Sequence, residues 1–568
     1  MATDAAHWQA SQELLSTWSS AAAWTVLDAD FGDGMRFQGI WKAWQQDPER
    51  PGMLHYVGIA PTAKALAPAI ADHCSALGPG FHRISLEAGH ISLTLCVGEV
   101  QVALAEHVFF ADTVFTCVPT DKWEIQRMAR RCKRGTRVHI AALKALGQPT
   151  SGTRLHELMQ DAGFQGTGSP DGGLTLCFRF DPGWQIATSR SPSRNVVQAP
   201  ARCAVIGAGI AGACVAHALA LRGWQVSVFD QEAAPAAQAS GLPAGLVVPH
   251  VSADDSPRSR LTRSGSRLMV EHAKRLLVRG EDWAPSGVME HKPGAKPLWH
   301  PQGAWIKPAA MVRALLGQSG IAFRGLTDVH GLSRHDGLWR LKDSQGQTLG
   351  PFEVVVLANA LGCKTLIEKM PSGDGIATRV HDKIAALQAV HGTLSMGRYL
   401  EKIPGLPKTP VNGNGCFIPF LPHEDGVHWL VGASFETDAA RAADLWQQHA
   451  DNMGRLQRLL PQQGKDLAET LERGPMSLWS ATRCVTHDRL PLAGPVDASR
   501  CPGLWVCVGM GSRGLSLSAL CAELLAARLS GEPWPIESSL ARSLDAQRHR
   551  KIPSRIRLVA INPSPEAD

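Results

Sequence analysis

The sequence predicts an α/β chain of two successive strand–turn–helix units, the second continuing into an α+β region. Three observations carry that prediction. The 568 residues are too many for one ordinary hydrophobic core. Residues 203–231 run as an apolar strand, a glycine-rich turn, an Ala-rich helix and a second apolar strand ending at Asp230. Residues 24–41, WTVLDADFGDGMRFQGIW, set out an earlier strand, an acidic glycine-bearing turn and an apolar-periodic helix.

In the first unit, the turn at 30–34 puts Gly32 and Gly34 where a ligand can come close to backbone. The next strand, LHYVGIA at 54–60, ends without the Asp or Glu that would hold a ribose diol. Further strands are expected at 91–98, 108–118, 137–143 and 174–180 with helices between them, giving a largely parallel sheet. Pro170, Asp171, Gly172 and Gly173 supply a turn before the last strand, which would close as a hairpin. Residues 181–202 are largely polar, carry Pro182, Pro192 and Pro200, and read as a linker.

The second unit opens on CAVIGAGIAGACVAHALALRGWQVSVFDQ. Gly207 permits a tight turn, Gly209 lets backbone approach a pyrophosphate, and Gly212 allows close helix–strand contact. Ala208 and Ile210 complete that cradle, whose free N–H groups and positive helix end suit a diphosphate, while Asp230 would accept from an adenosine ribose. Downstream, Pro308 suits the first turn of a helix in GAWIKPAAMVRALL, and FEVVVLANA (352–360), with Ala358, reads as a strand. Alternating runs at 387–397, 413–420 and 429–438 suit an antiparallel sheet. A last strand, a turn bearing Gly509, Gly511 and Gly514, and a helix from about residue 515 close the unit.

Composition narrows the class. Hydrophobic content of 44% and charged content of 19% describe a folded soluble protein. The uncharged stretches 203–221 and 233–253 do not read as membrane spans, because the first is the glycine motif and the second is broken by Pro and Gly. The start, MATDAAHWQASQELL, lacks a secretory pattern, so a cytoplasmic location is expected. Thirteen cysteines without CxxC pairs indicate neither a metal site nor a disulfide framework. A net charge of +6 gathers into three basic clusters, Arg127–Arg137, Arg258–Arg275 and a tail from Arg548 to Arg557, which fit a polyanionic partner or a solvated surface.

Particular motifs carry a family resemblance. DFGDGMRF at 30–37, Trp41 and Ala162-Gly163-Phe164 resemble the glycine turn, following helix and late AGF of the MnmC family, which completes 5-methylaminomethyl-2-thiouridine at the tRNA wobble position. TRCVTHDRLPLAGPV (482–496) and LWVCVGMGSRGLSLSALCAELLAARLSGEPWPIE (504–537) resemble its C-terminal segments more strongly. The resemblance spans nearly the whole chain. It implies a Rossmann-like methyltransferase-type domain, then a D-amino-acid oxidase/glycine oxidase-like FAD-binding Rossmann domain with an antiparallel substrate sheet. The corresponding divisions are 1–185, a linker at 186–202, 203–545 and a basic tail at 546–568.

The first domain departs from the family where chemistry is expected. GIAPTA (58–63) replaces a stretch bearing an acid, and in TCVPTDKW (116–123) Cys117 stands near the position of a key aspartate. Asp30, Gly32, Gly34 and Cys117 are therefore read as a degenerate methyltransferase site, kept for packing or tRNA contact and lacking the anchors for S-adenosylmethionine.

In the second domain the resemblance implies FAD. Ser240 and Gly241 match the Ser-Gly turn beside the flavin pyrophosphate, and Ala360 takes the place of a glycine at the end of the 352–360 strand. The helix from about residue 515 would aim its positive end at the flavin ring. Arg483 resembles the arginine that holds a substrate carboxylate, with flavin or structural pairing as its other reading. Arg513 would strengthen the local field, contact a substrate phosphate, or form a surface ion pair; His391 would face substrate or play a neutral role.

The implied reaction is oxidative removal of the carboxymethyl group from 5-carboxymethylaminomethyl-(2-thio)uridine at position 34 of tRNA, giving the 5-aminomethyl form. No general base is assigned. The alternatives are an oxidase of a small secondary amine or amino acid, an enzyme that also methylates with S-adenosylmethionine, and a non-catalytic tRNA scaffold. The expected partner is tRNA, with no DNA, no membrane and no metal, and the expected state is a monomer.

Overall fold

The computed structural model describes residues 17–548 except 63–69, 71–76, 142–151, 169–174, 186–196, 371–377, 400–402 and a few single positions. The expected 170–173 turn, most of the linker and the basic tail beyond Arg548 lie outside the described residues.

Eight strands of the first unit, β1 (Ala23–Asp28), β2 (Met53–Ala60), β3 (Gly80–Leu86), β4 (Ile91–Val97), β5 (Ala111–Thr116), β6 (Cys132–Ala141), β7 (Phe164–Gly168) and β8 (Thr175–Phe180), form one sheet. Its order is β3-β4-β2-β1-β5-β6-β8-β7. The central five are parallel, and β3, β8 and β7 add antiparallel edges. Apolar runs such as MLHYVGIA, buried at every position, mark strands covered on both faces.

Apolar patterning does not pick out β3, because His82 and Arg83 interrupt it. Both are almost fully buried, since this edge packs on the second unit. Arg83 donates to the Pro533 carbonyl, and Arg267 contacts His82 at 2.9 Å. The second unit thus covers a sheet edge that would otherwise present unpaired backbone.

Charge also crosses this junction. Arg222 is buried between Glu523 and Glu532, at 3.1 and 2.8 Å, and His55 on β2 lies 3.4 Å from Glu532. Glu106 accepts from Ser538 Oγ and Ser539 N at 2.9 and 2.8 Å. Desolvating so many ions is costly, and the carboxylates offset that cost by holding Arg222 on two sides.

A six-stranded sheet forms the centre of the second unit, in the order 321–324, 225–229, 202–206, 354–357, 504–508 and 492–495. All pairs are parallel except the last. The helices Ile210–Ala220 and Gly514–Ser530 are buried over nearly their whole length and pack against each other. A seven-stranded sheet, in the order 298–300, 288–290, 411–413, 415–423, 426–432, 388–398 and 476–485, makes the second layer. Among the described residues no helix is long and apolar enough to cross a membrane.

The expected strand over 352–360 stops early. It breaks into Thr348–Phe352 and Val354–Leu357, and Ala360 adopts φ +51°. A side chain in this left-handed region costs roughly 1–2 kcal/mol, the strain a glycine there would avoid.

Candidate cofactor and substrate site

The glycine turn owes its shape to contacts no larger residue would allow. A Cβ on Gly207, whose φ is +106°, would lie 2.7 Å from the Ala358 carbonyl oxygen; one on Gly212 would lie 1.9 Å from that of Gly207. The helix that starts at Ile210 is therefore pressed against the strand end, with its first amides at the turn. Ser240 Oγ accepts from Ile210 N at 2.9 Å, and a Cβ on Gly209 would meet that same oxygen at 3.2 Å. Gly241 sits where a Cβ would come 2.8 Å from the Ala236 carbonyl oxygen.

Asp230 ends the next strand and accepts from Ala208 N at 2.6 Å and Glu232 N at 3.0 Å. One carboxylate thus braces the turn from the side where a ribose would lie. Backbone stripped of side chains, a helix start and an acid at the adjacent strand end form a donor and acceptor set that fits a dinucleotide.

Tertiary packing brings the second glycine turn to the first. Gly509 and Gly511 have φ of +78° and +58°, and a Cβ on Gly514 would stand 3.2 Å from Ile210 Cγ2. The starts of the 210–220 and 514–530 helices are therefore neighbours, concentrating two positive helix ends at one place.

Arg483 lies on the 476–485 strand opposite Val390. Its guanidinium crosses Gly392, where a Cβ would lie 2.2 Å from Nη2, and Nη1 donates to the Ser434 carbonyl at 3.3 Å. Among the described residues it has no carboxylate partner. Burial pulls its pKa below the usual arginine value, opposed by Cys416 and assisted by Arg455. A half-buried cation with one carbonyl as its acceptor among the described residues has capacity left for an anion.

His391 does not share that face. It pairs with Thr482, the next residue along the ladder, and its Nδ1 lies 2.9 Å from Thr482 Oγ1. Strand alternation places it on the side opposite Arg483.

Arg513 occupies the turn just before the 514–530 helix, half-buried. Burial lowers its pKa, as does Arg258, while Glu290 raises it. Nearby, His250 is shifted down by burial and by Arg513, Arg258 and Lys292. Glu290 is buried and already engaged, 3.1 Å from His300 and 3.2 Å from Lys292. Four cations, Arg258, Lys292, Arg489 and Arg513, thus share this neighbourhood with Glu290. In the sequence Arg258 belongs to a basic run and Arg489 to the 482–496 family segment, whereas Glu290 carries no signal of its own; the three arrive from distant segments.

In the first unit, Asp28 ends β1 fully buried, bound by Arg36 at 2.5 Å and Tyr56 Oη at 2.6 Å. The Arg36 guanidinium also stands 5.2 Å over the Phe115 ring. Gly32 and Gly34 both have positive φ, and Arg36 donates to the Asp30 carbonyl at 3.1 Å. Cys117, just beyond β5, is exposed; partial burial raises its pKa, and so does the negative charge of Asp30. The end of β2, Gly58-Ile59-Ala60, offers no acid.

The FAD dependent oxidoreductase family matches residues 202–295 and 273–528. A curated protein of Albidiferax ferrireducens, named tRNA 5-methylaminomethyl-2-thiouridine biosynthesis bifunctional protein MnmC, is 41% identical over 94% of this chain and 94% of its own. Its namesake in Polaromonas naphthalenivorans is 37% identical over 94% of this chain and 91% of its own. Among solved structures, glycine oxidase from Geobacillus kaustophilus is 19% identical, covering 62% of this chain and all of its own with a TM-score of 0.49.

Proposed function

The chain belongs to the MnmC family of tRNA 5-methylaminomethyl-2-thiouridine biosynthesis bifunctional proteins, and from this membership we propose how its FAD-dependent oxidoreductase half acts on tRNA. It removes the carboxymethyl group from 5-carboxymethylaminomethyl-(2-thio)uridine at the wobble position, leaving the 5-aminomethyl form. Bound FAD would supply the hydride acceptor for the methylene between the amine and the carboxylate. Water then splits the resulting substrate imine into glyoxylate and the primary amine.

The observation that carries this reading is Arg483, a half-buried guanidinium supported by one carbonyl and without a carboxylate of its own. It suits the carboxylate of the departing group and would fix the methylene relative to the cofactor. Gly207, Ala208, Gly209, Ile210, Gly212, Asp230, Ser240, Gly241 and Ala358 would hold the dinucleotide end, with Gly509, Gly511 and Gly514 bringing the second helix start to the ring. Arg513 and Arg258, close to the same helix start, suit the phosphates that flank a nucleotide. His391 is assigned no part, because it faces away from Arg483.

The first domain does not fit S-adenosylmethionine. Among the described residues the buried carboxylate at the sheet end, Asp28, is paired with Arg36, no acid closes β2, and burial and Asp30 raise the Cys117 pKa. We therefore read this unit as a packing partner of the oxidase half and derive no methyl transfer from it.

The test is incubation of purified flavoprotein with tRNA carrying 5-carboxymethylaminomethyluridine, followed by nucleoside mass spectrometry. The 5-aminomethyl nucleoside is expected to replace the substrate, and added S-adenosylmethionine is expected to yield no methylated form. Unchanged substrate would overturn the oxidase reading. A methylated product would overturn the reading of the first domain.

A further inference from the structure

Far from the cofactor site, the hairpin joining the 415–423 and 426–432 strands gathers three side chains of metal-ligating type. His423, Asp425 and His428 present ligand atoms that all lie within 4.8 Å of one another. We propose that they form a binding site for a single divalent transition-metal ion of the zinc class.

Strand register explains the convergence. Leu421 pairs with His428 and His423 with Gly426, so His423, two residues beyond Leu421, shares a face with His428 as its diagonal neighbour. Their rings stack at 4.3 Å between centroids with 21° between planes. Asp425 lies in the connecting turn and folds back over both. Its Oδ1 stands 2.5 Å from His423 Nδ1 and 2.7 Å from His428 Nε2. Both imidazoles therefore converge on one carboxylate oxygen.

The donor set selects the ion. Two imidazoles and one carboxylate suit zinc, cobalt, nickel or copper, whereas magnesium and calcium favour oxygen ligands. With metal–ligand bonds of about 2.0–2.1 Å, tetrahedral ligand atoms stand roughly 3.3 Å apart. The observed contacts must open by about half an ångström or more, a movement available to His423 and Asp425, whose side chains are about half exposed. Water would complete the shell, as in sites with three protein ligands.

Arg398 limits the affinity. It pairs with His428 across the ladder and donates to the Asp425 carbonyl at 3.4 Å. A guanidinium so close opposes a second cation, so binding in the micromolar range is expected rather than the tighter range of closed structural sites. The site is remote from catalysis: Arg398 and His428 lie at one end of the 388–398 strand, whereas Arg483 pairs near its other end. Its role would be to staple the hairpin tip.

The experiment uses the full-length, untagged flavoprotein, stripped with a chelator and titrated with Zn2+ by calorimetry and with Co2+ by visible absorption. One site in wild type is expected to weaken about tenfold or more in His423→Ala and in Asp425→Asn. Both variants should keep full flavin content, because neither residue is near the cofactor. His428→Ala is a less clean probe, since that residue is buried. Equal affinity in wild type and both exposed variants, or no binding tighter than about 1 mM, would overturn the proposal. The outcome is independent of the oxidase reading, as it requires neither tRNA nor turnover.

Discussion

Replacing Arg483 with Met should separate substrate recognition from cofactor binding. Met keeps an unbranched stem over Gly392 and removes the guanidinium, whose protein contact is the single 3.3 Å bond to the Ser434 carbonyl. Little folding energy depends on that bond, about 1–2 kcal/mol at most. The bound substrate, in contrast, loses a charge-assisted pair in a half-buried setting. Truncating one partner of such a pair costs about 2–5 kcal/mol, and partial exposure favours the lower end, about 2–3 kcal/mol. That corresponds to a fall of about 30- to 150-fold in kcat/KM. Anaerobic stopped-flow reduction of the bound flavin by substrate tRNA measures it directly. Arg483→Lys should recover only part of the loss, because an ammonium keeps the charge but lacks the planar fork. A substrate analogue lacking the carboxylate should react equally slowly with wild type and variant. Wild-type kcat/KM in Arg483→Met, with flavin fully bound, would refute the assignment.

Further expectations follow from single contacts. Gly212→Ala drives a Cβ to 1.9 Å from the Gly207 carbonyl oxygen; backbone must shift, and the purified protein should be colourless and about 3 kcal/mol less stable. Ala360→Gly relieves a left-handed residue at φ +51° and should add about 1 kcal/mol, seen as a small rise in Tm. Burial pushes Glu271, at the junction of the two units, up to about 7. Its folded form then binds a proton that the unfolded chain releases near the ordinary value of 4.5, so this residue lowers stability as pH rises from about 5 to 7. Glu271→Gln should match wild type near pH 5 and exceed it near pH 8 by up to about 3 kcal/mol, measured by chemical denaturation at both pH values. Equal stability at pH 8 would refute that account.

The glycine turn and its helix were legible because local sterics set them: Gly207 needs a positive φ and Gly212 touches the Gly207 carbonyl, constraints expressed in a dozen consecutive residues. The central parallel strands β2 and β4 of the first sheet were legible as nearly continuous apolar runs. The β3 strand was not, because His82 and Arg83 are buried by a surface more than 180 residues away in the chain. The early end of the 352–360 strand was hidden for a different reason. FEVVVLANA itself carries no turn residue there, and only the resemblance, in which Ala360 takes a glycine's place, points to the left-handed position.

Alone, the sequence determined the order of the two strand–turn–helix units, the glycine turn and the family, since each is written in short spacings or in long matched segments. Tertiary structure decided which candidate side chains meet. Strand alternation put Arg483 over Gly392 and turned His391 to the other face. Helix packing brought Gly514 against Ile210, joining two glycine turns some three hundred residues apart. The same packing grouped Arg258, Lys292, Arg489 and Arg513 with Glu290. Local spacing encodes dihedral angles and faces, whereas the charge and shape of a site depend on which distant segments the core brings together.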